Sequence, residues 1–504
     1  MLVMSLGDSK VRRGKADSSA SDAIAFADAA SALRFLDERT NVEVLRLASV
    51  DVAKVFTLDR MRALMAALGN PQASYKCVHV AGSKGKGSVC EMVASALEAC
   101  GYTVGLYTSP HLVEVGERIR INQLKIAGLD FAGALSRVAR AEASLPKELG
   151  PATYFELLTA LALTHFADQA VDLAVIEVGL GGLLDATNII TPEACAITSI
   201  HLEHTEILGD TLGKIARAKA GILKPGVPGV TVPQPPEVMQ VLREVAASAG
   251  TTIEALGQEI EYSSRVGGGG DAGPRARVVV TTPRSSFEHF VVPLRGEHQA
   301  ANCGLALAIL DKLRERGIET PEVKVALGLE RTPNHGRMEV VMDRPRVIID
   351  GAHTPESVAG VVKALGGMGR HDSTVVVFGC AADKDVVGML KALAQGADKV
   401  IFTRATGNAR AADPRELHRK FAEISPKMSQ VAPTVKDAIN LAHQAINRDD
   451  LILVTGSFTI AGEAKRLVMD RDKKPRAEAL TIREIKPGGS IPEAAAKKRG
   501  RGRG

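Results

Sequence analysis

Three glycines, two lysines and two serines stand together in Gly82-Ser83-Lys84-Gly85-Lys86-Gly87-Ser88, between the aliphatic run "YKCVHVA" and a helical pattern that reaches Cys100. Such a loop suits an anion: glycine lets the backbone approach phosphate closely, and the helix that follows supplies unpaired N–H donors. Lys86 is placed to reach the β- and γ-phosphates of a nucleotide, Ser88 to reach Mg²⁺ or phosphate. Lys84 belongs to the same loop and is expected to face solvent. The spacing differs from GxxxxGK[ST], which argues against an ordinary kinase or GTPase. The bland alternative is a Gly-rich turn with solvated lysines, and the order strand, loop, amphipathic helix speaks against it.

Glu177 closes the run "LAVIEV". Open α/β sheets bind ligands at the carboxyl ends of their strands. A carboxylate after an apolar run is costly without a partner, and Mg²⁺ is a natural one; a surface glutamate is the alternative. In "IHLEHTE", His201 and His204 lie three apart, a spacing that could mark a helical metal pair. Lys219 in "ARAKAGI" reads by itself as a solvated lysine near a helix end.

These residues need elements to position them. From about residue 20 to 230, aliphatic runs ("YKCVHVAG", "TVGLYTS", "LAVIEVGLGG", "ACAITSI") alternate with helical patterns, which implies a parallel sheet with crossover helices. The helix after the loop, expected to start near Ser88, sets Val89, Met92, Val93, Ala96, Leu97 and Cys100 on one core-facing side. Shorter β-rich pieces follow between about 226 and 296, and the Gly-rich stretch at 263–276 reads as a mobile surface insertion. A second alternation begins beyond a break at Arg331–His335, with "PRVIIDGAH", "STVVVFGCAADKD", "KVIFTRA" and "DLILVTGSF". The fold class is therefore α/β: a P-loop-containing parallel-sheet domain over 21–332, then a smaller Rossmann-like α/β domain over 333–470.

Composition narrows the setting. The chain has 504 residues, 45% hydrophobic, with 3% aromatics and no Trp, so its cores rest on aliphatic residues. Six scattered cysteines with no CxxC pair argue against both a disulfide framework and a zinc ribbon. Residues 1–20 read as disordered, lack the apolar core of a signal peptide, and no run approaches the roughly 18–20 apolar residues of a membrane span. A cytoplasmic protein is expected. From Arg471 to Gly504, eleven Lys/Arg oppose four Asp/Glu, a net of +7, so the other residues carry −2 of the total +5. The basic tail over 471–504 reads as a solvated, disordered end; a nucleotide-dependent nucleic-acid-binding role is the rival, weakened by the lack of aromatics for stacking.

The motifs together have a familiar order. "GSKGKGS" is followed by "GYTVGLYTSPHLVEVGERIRIN", "TYFELLTALAL", "VIEVGLGGLLDATNI", "TSIHLEHTEILGDTLGKIARAKAGILK", "LRGEHQAANCGLAL", "HGRMEVV", "VIIDGAHTPES", "FGCAADKD" and "GSF". This series, over roughly residues 25 to 470, resembles the folylpolyglutamate synthase/dihydrofolate synthase family of the Mur ligase superfamily. The resemblance implies that ATP, with two Mg²⁺ ions, phosphorylates a carboxylate of dihydropteroate or a reduced folate, and that the L-glutamate amine displaces the phosphate. It implies metal ligation by Ser109, Glu177, His204 and a carbamylated Lys219, besides Ser88, and nucleotide contacts from Gln299, Asn302, Arg337 and Asp350. Pro110, His111, Phe155, Asp185 and His353 are implied on the substrate side, with Phe155 stacking a flat heterocycle and Asp185 accepting its N–H donors. A monomer is expected. Three positions depart from the pattern: Glu203 stands for an aspartate, Leu183 for an arginine beside Asp185, and Thr354 for an asparagine. Another Mur-type ligase acting on a muramyl precursor is the enzyme alternative.

Overall fold

The computed structural model describes residues 24–42, 56–267, 275–366, 371–447 and 449–473. The expectations for residues 1–20, for the glycines at 268–270 and for the tail from 474 onward lie outside them. Eight strands form the first sheet: β1 (Lys76–Ala81), β2 (Val104–Tyr107), β3 (Ile119–Ile121), β4 (Leu124–Lys125), β5 (Leu173–Glu177), β6 (Ala194–Ile197), β7 (Gly229–Thr231) and β8 (Ile253–Ala255). Their order is β4-β3-β2-β5-β1-β6-β7-β8, parallel from β2 to β8 with an antiparallel edge at β3 and β4. The central strands are buried along nearly their whole length, which is why they read as unbroken aliphatic runs. With β5 on one side of β1 and β6 on the other, the carboxyl ends of all three open into one crevice.

The helix after the loop spans Lys86–Cys100, starting two residues earlier than expected, and Gly101 in the left-handed region closes it. Its amphipathic pattern suggests one buried face. Instead every residue from Ser88 to Leu97 is buried, because the sheet covers one side and helices His298–Glu315 and Glu322–Glu330 the other. The small Ala94, Ser95 and Ala96 let those neighbours come close; at Gly328 a Cβ would stand 2.4 Å from the Ser95 carbonyl.

Strands reach into both ends of the stretch read as an insertion, whose middle, 268–274, lies outside the described residues. β9 (Glu261–Gly267) and β10 (Arg275–Thr281) pair antiparallel on either side of the glycines, and β11 (Ser286–Val291) completes a three-stranded sheet. Alternate residues Val278 and Val280 are buried against Phe287 and Phe290, so the packing comes from outside the Gly-rich stretch.

The last sheet contains β12 (Glu339–Asp343), β13 (Arg346–Ile349), β14 (Thr374–Phe378), β15 (Lys399–Phe402), β16 (Met428–Val431) and β17 (Leu451–Thr455), in the order β12-β13-β17-β14-β15-β16. It is parallel except for the β12–β13 edge pair. Its closing helix runs Phe458–Lys473, three residues beyond the expected end at 470.

The two sheets are pinned together by Leu112, from the "TSPHL" turn. Its side chain is buried among Val347, Ile349 and Ile460 of the second unit, a burial that contributes roughly 1.5–3 kcal/mol. Gly462 makes the room: a Cβ there would stand 1.7 Å from the Leu112 carbonyl. Among the described residues, no helix is long and apolar enough to cross a membrane.

Candidate active site

The phosphate-type loop leaves the end of β1 under tight constraint. Gly82 has φ +143° and a Cβ there would fall 1.8 Å from Thr198 Oγ1, past the end of β6; Gly85 has φ +94° and its Cβ would fall 2.5 Å from Asn302 Oδ1. Only glycine fits either place. No side chain caps the helix at Gly85, so its first N–H groups face the loop. The outer half of the loop is tied down: Ser83 N donates to Ser199 O at 2.9 Å, and the His201 N–H donates to Ser83 Oγ at 3.0 Å. Thus the backbone of His201 anchors the loop, and the pairing of His201 with His204 does not form a metal pair on one helix: the short helix Thr205–Leu208 begins after both.

Lys86 Nζ folds back onto Gly82 O at 3.0 Å, inside the loop it is expected to serve. Gly87 lies between two charged groups: a Cβ there would stand 3.5 Å from both Glu177 Oε2 and an Arg337 guanidinium nitrogen. Ser88 Oγ accepts from Gln299 Nε2 at 3.2 Å, and Asn302 Nδ2 donates to Gln299 Oε1 at 2.9 Å. All three are buried, so Ser88, Gln299 and Asn302 form one polar chain from the loop into helix His298–Glu315.

Lys84 departs from expectation. Rather than facing solvent, its Nζ donates to Thr354 Oγ1 at 2.7 Å and pairs with Glu356 at 3.1 Å. Thr354 is also the N-cap of helix Pro355–Leu365, in a capping box with Ser357. The asparagine-to-threonine departure therefore keeps a polar role, as a helix cap and as the acceptor of a loop lysine.

At the end of β5, Glu177 is buried and Oε2 accepts from Ser109 N at 3.0 Å, bringing those two candidates together. Burial raises its pKa, while Lys86, the Ser109 amide and Arg337 oppose that rise. Lys219 is 2% exposed; its Nζ donates to Gly82 O at 2.8 Å and to Glu203 Oε1 at 2.9 Å. Burial pulls the amine down to about 8, outweighing the Glu203 carboxylate that holds it up. Glu203 is held below its usual value because Lys219 and Lys86 outweigh its own desolvation. His204 has a left-handed backbone, φ +46°, and reaches solvent. Desolvation, with Lys384, Lys219 and Lys86 nearby, pushes it down to about 4 against the pull of Glu203.

On the substrate side, Phe155 is half-buried with its ring against Gly179, where a Cβ would stand 2.4 Å from it, and 6.0 Å from the Tyr107 ring. Asp185 is buried and largely occupied: Leu180 N donates to Oδ2 at 2.8 Å, and Thr187 donates to Oδ1 through both its N–H, at 3.0 Å, and its hydroxyl. A carboxylate accepts about four hydrogen bonds, so about one position, on Oδ2, is left for a ligand donor. Pro110 is exposed beside Ser109, and His111 Nδ1 accepts from Arg118 Nε at 2.9 Å.

Across the crevice, the Arg337 guanidinium lies 5.6 Å from the Phe458 ring centroid. Asp350 accepts from Met338 N at 2.9 Å and Ala352 N at 2.8 Å, so its carboxylate braces the residue just before β12 and the loop after β13; burial raises it to about 6. His353 hydrogen-bonds Gly351 O through Nδ1 at 2.8 Å. Three residues given no role from sequence complete the setting. Glu203 holds Lys219; Lys384 faces His204 and His353 electrostatically; His298 faces Arg337 and Lys84. Glu203 is adjacent to His204 and Lys384 lies in the quoted "AADKD" block, but neither shows its partner locally.

The donors suit Mg²⁺ at one place. Glu177 is a buried carboxylate needing a cation, with the hydroxyl-bearing Ser88 and Ser109 at the same end of the crevice, and these oxygens match a hard ion. Lys219 and His204 do not fit a second ion while Lys219 is an ammonium; conversion of the amine to a carbamate would supply oxygen donors in its place.

The profile of the Mur ligase middle domain matches residues 80–310, and that of the Mur ligase glutamate ligase domain matches 336–458. A dihydrofolate synthase/folylpolyglutamate synthase of Bacillus subtilis is 32% identical over 415 residues, covering 81% of this chain and 94% of that protein. A probable bifunctional folylpolyglutamate synthase/dihydropteroate synthase of Haloferax volcanii is 36% identical over 411 residues, 81% of this chain, and the chain spans only 48% of that longer protein. Among solved structures, Escherichia coli FolC in complex with DHPP and ADP superimposes with a TM-score of 0.76 at 28% identity, covering 88% of this chain and 98% of that one.

Proposed function

The chain belongs to the dihydrofolate synthase/folylpolyglutamate synthase family of Mur ligases, which are ATP-dependent ligases, and on that premise we propose that it joins L-glutamate to dihydropteroate, to reduced folates, or to both. The observation that carries the reading is the convergence of Lys86, Glu177 and Lys219 with the buried Asp185 around one crevice end. A carboxylate is a poor electrophile. Its oxygen attacks the γ-phosphorus of ATP, releasing ADP and forming an acyl phosphate; the glutamate nitrogen then attacks the carbonyl carbon, phosphate leaves with the bridging oxygen, and the amine loses a proton.

The chain's part is mainly placement and charge. The N–H groups of Gly82–Ser88 cradle the phosphates, and Lys86 leaves Gly82 O to meet them. Gln299 and Asn302 hold the nucleoside side, and Arg337 closes from the second unit. Asp185 and Phe155 orient the acceptor, with Pro110, His111 and His353 lining its path. Glu177, with Ser88 and Ser109, would hold Mg²⁺, and a carbamylated Lys219 with His204 would hold a second; metal held there would supply positive charge to offset that developing on the transferred phosphoryl group. The unpaired cysteines support a cytoplasmic setting.

ADP release by the purified full chain tests the reading, with ATP, L-glutamate and each acceptor in turn. Release is expected with dihydropteroate or a tetrahydrofolate. Turnover confined to a UDP-muramyl acceptor would overturn it.

A further inference from the structure

His79 lies in the middle of β1, fully buried, and plays no part in the chemistry above. Central parallel strands are normally aliphatic, so a polar ring there needs a reason. Its Nε2 lies 2.8 Å from Thr187 Oγ1, and the Thr187 hydroxyl in turn lies against Asp185 Oδ1. Nδ1 has no partner among the described residues.

These contacts have one consistent direction. An ionised Asp185 only accepts, so the Thr187 hydroxyl proton points to it. The hydroxyl lone pair is then free to accept, and His79 must supply Nε2–H. Nδ1 is left as the bare ring nitrogen of a neutral imidazole, which an apolar strand tolerates better than an unpaired N–H of an imidazolium. A second brace holds the same turn from the other side: Lys224 Nζ donates to Asn188 Oδ1 at 2.8 Å, and Asn188 Nδ2 donates to Leu183 O at 3.0 Å and Gly221 O at 3.1 Å.

We propose that His79 is a positioning residue for the acceptor, fixing the Asp185 carboxylate through Thr187 so that its one free Oδ2 position faces the ligand. The inference rests on the assignment of Asp185 to the acceptor. With Oδ1 filled by Thr187, the carboxylate presents a single acceptor rather than a symmetrical pair, which selects a ligand edge offering one N–H donor to it. Loss of the His79 donor lets the Thr187 hydroxyl turn and the carboxylate rotate.

The test is steady-state kinetics of His79→Leu, His79→Gln, Thr187→Val, the His79→Leu/Thr187→Val pair and Asp185→Asn, with dihydropteroate varied and then ATP varied. Removing one donor from a hydrogen-bonded chain that ends on a charge should raise the acceptor KM about tenfold in His79→Leu and in Thr187→Val. The ATP KM and kcat should stay within about twofold, a split that a general loss of packing would not produce. His79→Gln, which retains an N–H donor, should recover most of the lost affinity, and the double variant should be no worse than either single one. An unchanged acceptor KM in His79→Leu with a raised one in Asp185→Asn overturns the positioning role and leaves the function standing. An unchanged acceptor KM in Asp185→Asn overturns the assignment of Asp185 and the inference with it. If His79→Leu does not fold, Thr187→Val alone decides, because it breaks the same chain outside the strand: an unchanged acceptor KM there is equally fatal.

Discussion

Carbamylation of Lys219 can be worked out numerically and tested without any turnover. CO₂ reacts with the neutral amine. A lysine with the ordinary value of 10.5 is neutral at pH 7 in roughly three molecules in ten thousand, whereas one lowered to about 8 is neutral in about one in ten, so burial raises the reactive form about 300-fold. Glu203 works against this, because its carboxylate raises the Lys219 pKa by charge and by hydrogen bond. Glu203→Gln should therefore increase the neutral fraction, with a ceiling of about tenfold at pH 7, and it removes an anion beside the carbamate being formed. The assay is ¹³C NMR of protein equilibrated with ¹³C-bicarbonate at pH 7 and pH 8. A carbamate resonance should appear in the parent, grow between pH 7 and 8, vanish in Lys219→Arg and strengthen at pH 7 in Glu203→Gln. A parent spectrum with no resonance lost in Lys219→Arg would refute the reasoning, as would weakening by Glu203→Gln.

Gly82→Ala places a Cβ 1.8 Å from Thr198 Oγ1 at a φ of +143°, so ADP affinity measured by calorimetry should fall at least about tenfold; unchanged affinity would show that the loop is not the phosphate site. His79 is lowered to about 3 from 6.5, so its contribution to stability is whole above pH 6.5 and is lost as pH falls toward 3, at about 1.4 kcal/mol per pH unit. Urea unfolding of His79→Gln should lack that slope between pH 6 and 4; parallel curves for variant and parent would contradict it. Lys84→Met removes a bridge whose partner Glu356 is exposed, contributing under about 1 kcal/mol, so the thermal midpoint should move by only a few degrees. Tryptic cleavage near the break between the two units, at Arg331 and Arg337, should nevertheless accelerate, since the loop no longer holds helix Pro355–Leu365; equal cleavage rates would deny Lys84 that coupling.

What could be read from sequence was whatever local rules determine. Glycine spacing before a buried helix located the loop, and an aliphatic run ending in an acid located Glu177 at a strand end. The direction of Lys84 was not legible, because Thr354 and Glu356 lie about 270 residues away in the chain and meet it only through the packing of the two sheets. Nor was the confinement of Asp185, whose neighbours Leu180 and Thr187 are near in sequence but whose brace His79 arrives from another strand. Strand β10 was legible in "RARVVVTTP", where Val278 and Val280 alternate, whereas its cover by Phe287 and Phe290 and its pairing with β9 across the glycines were not.

The central claim is that ATP activates the acceptor carboxylate as an acyl phosphate, and oxygen tracing tests it most directly. Dihydropteroate labelled with ¹⁸O in its carboxylate, turned over with ATP and L-glutamate, should deliver one labelled oxygen into each phosphate released, read by ³¹P NMR or mass spectrometry. Phosphate released without label while the amide still forms would contradict the account.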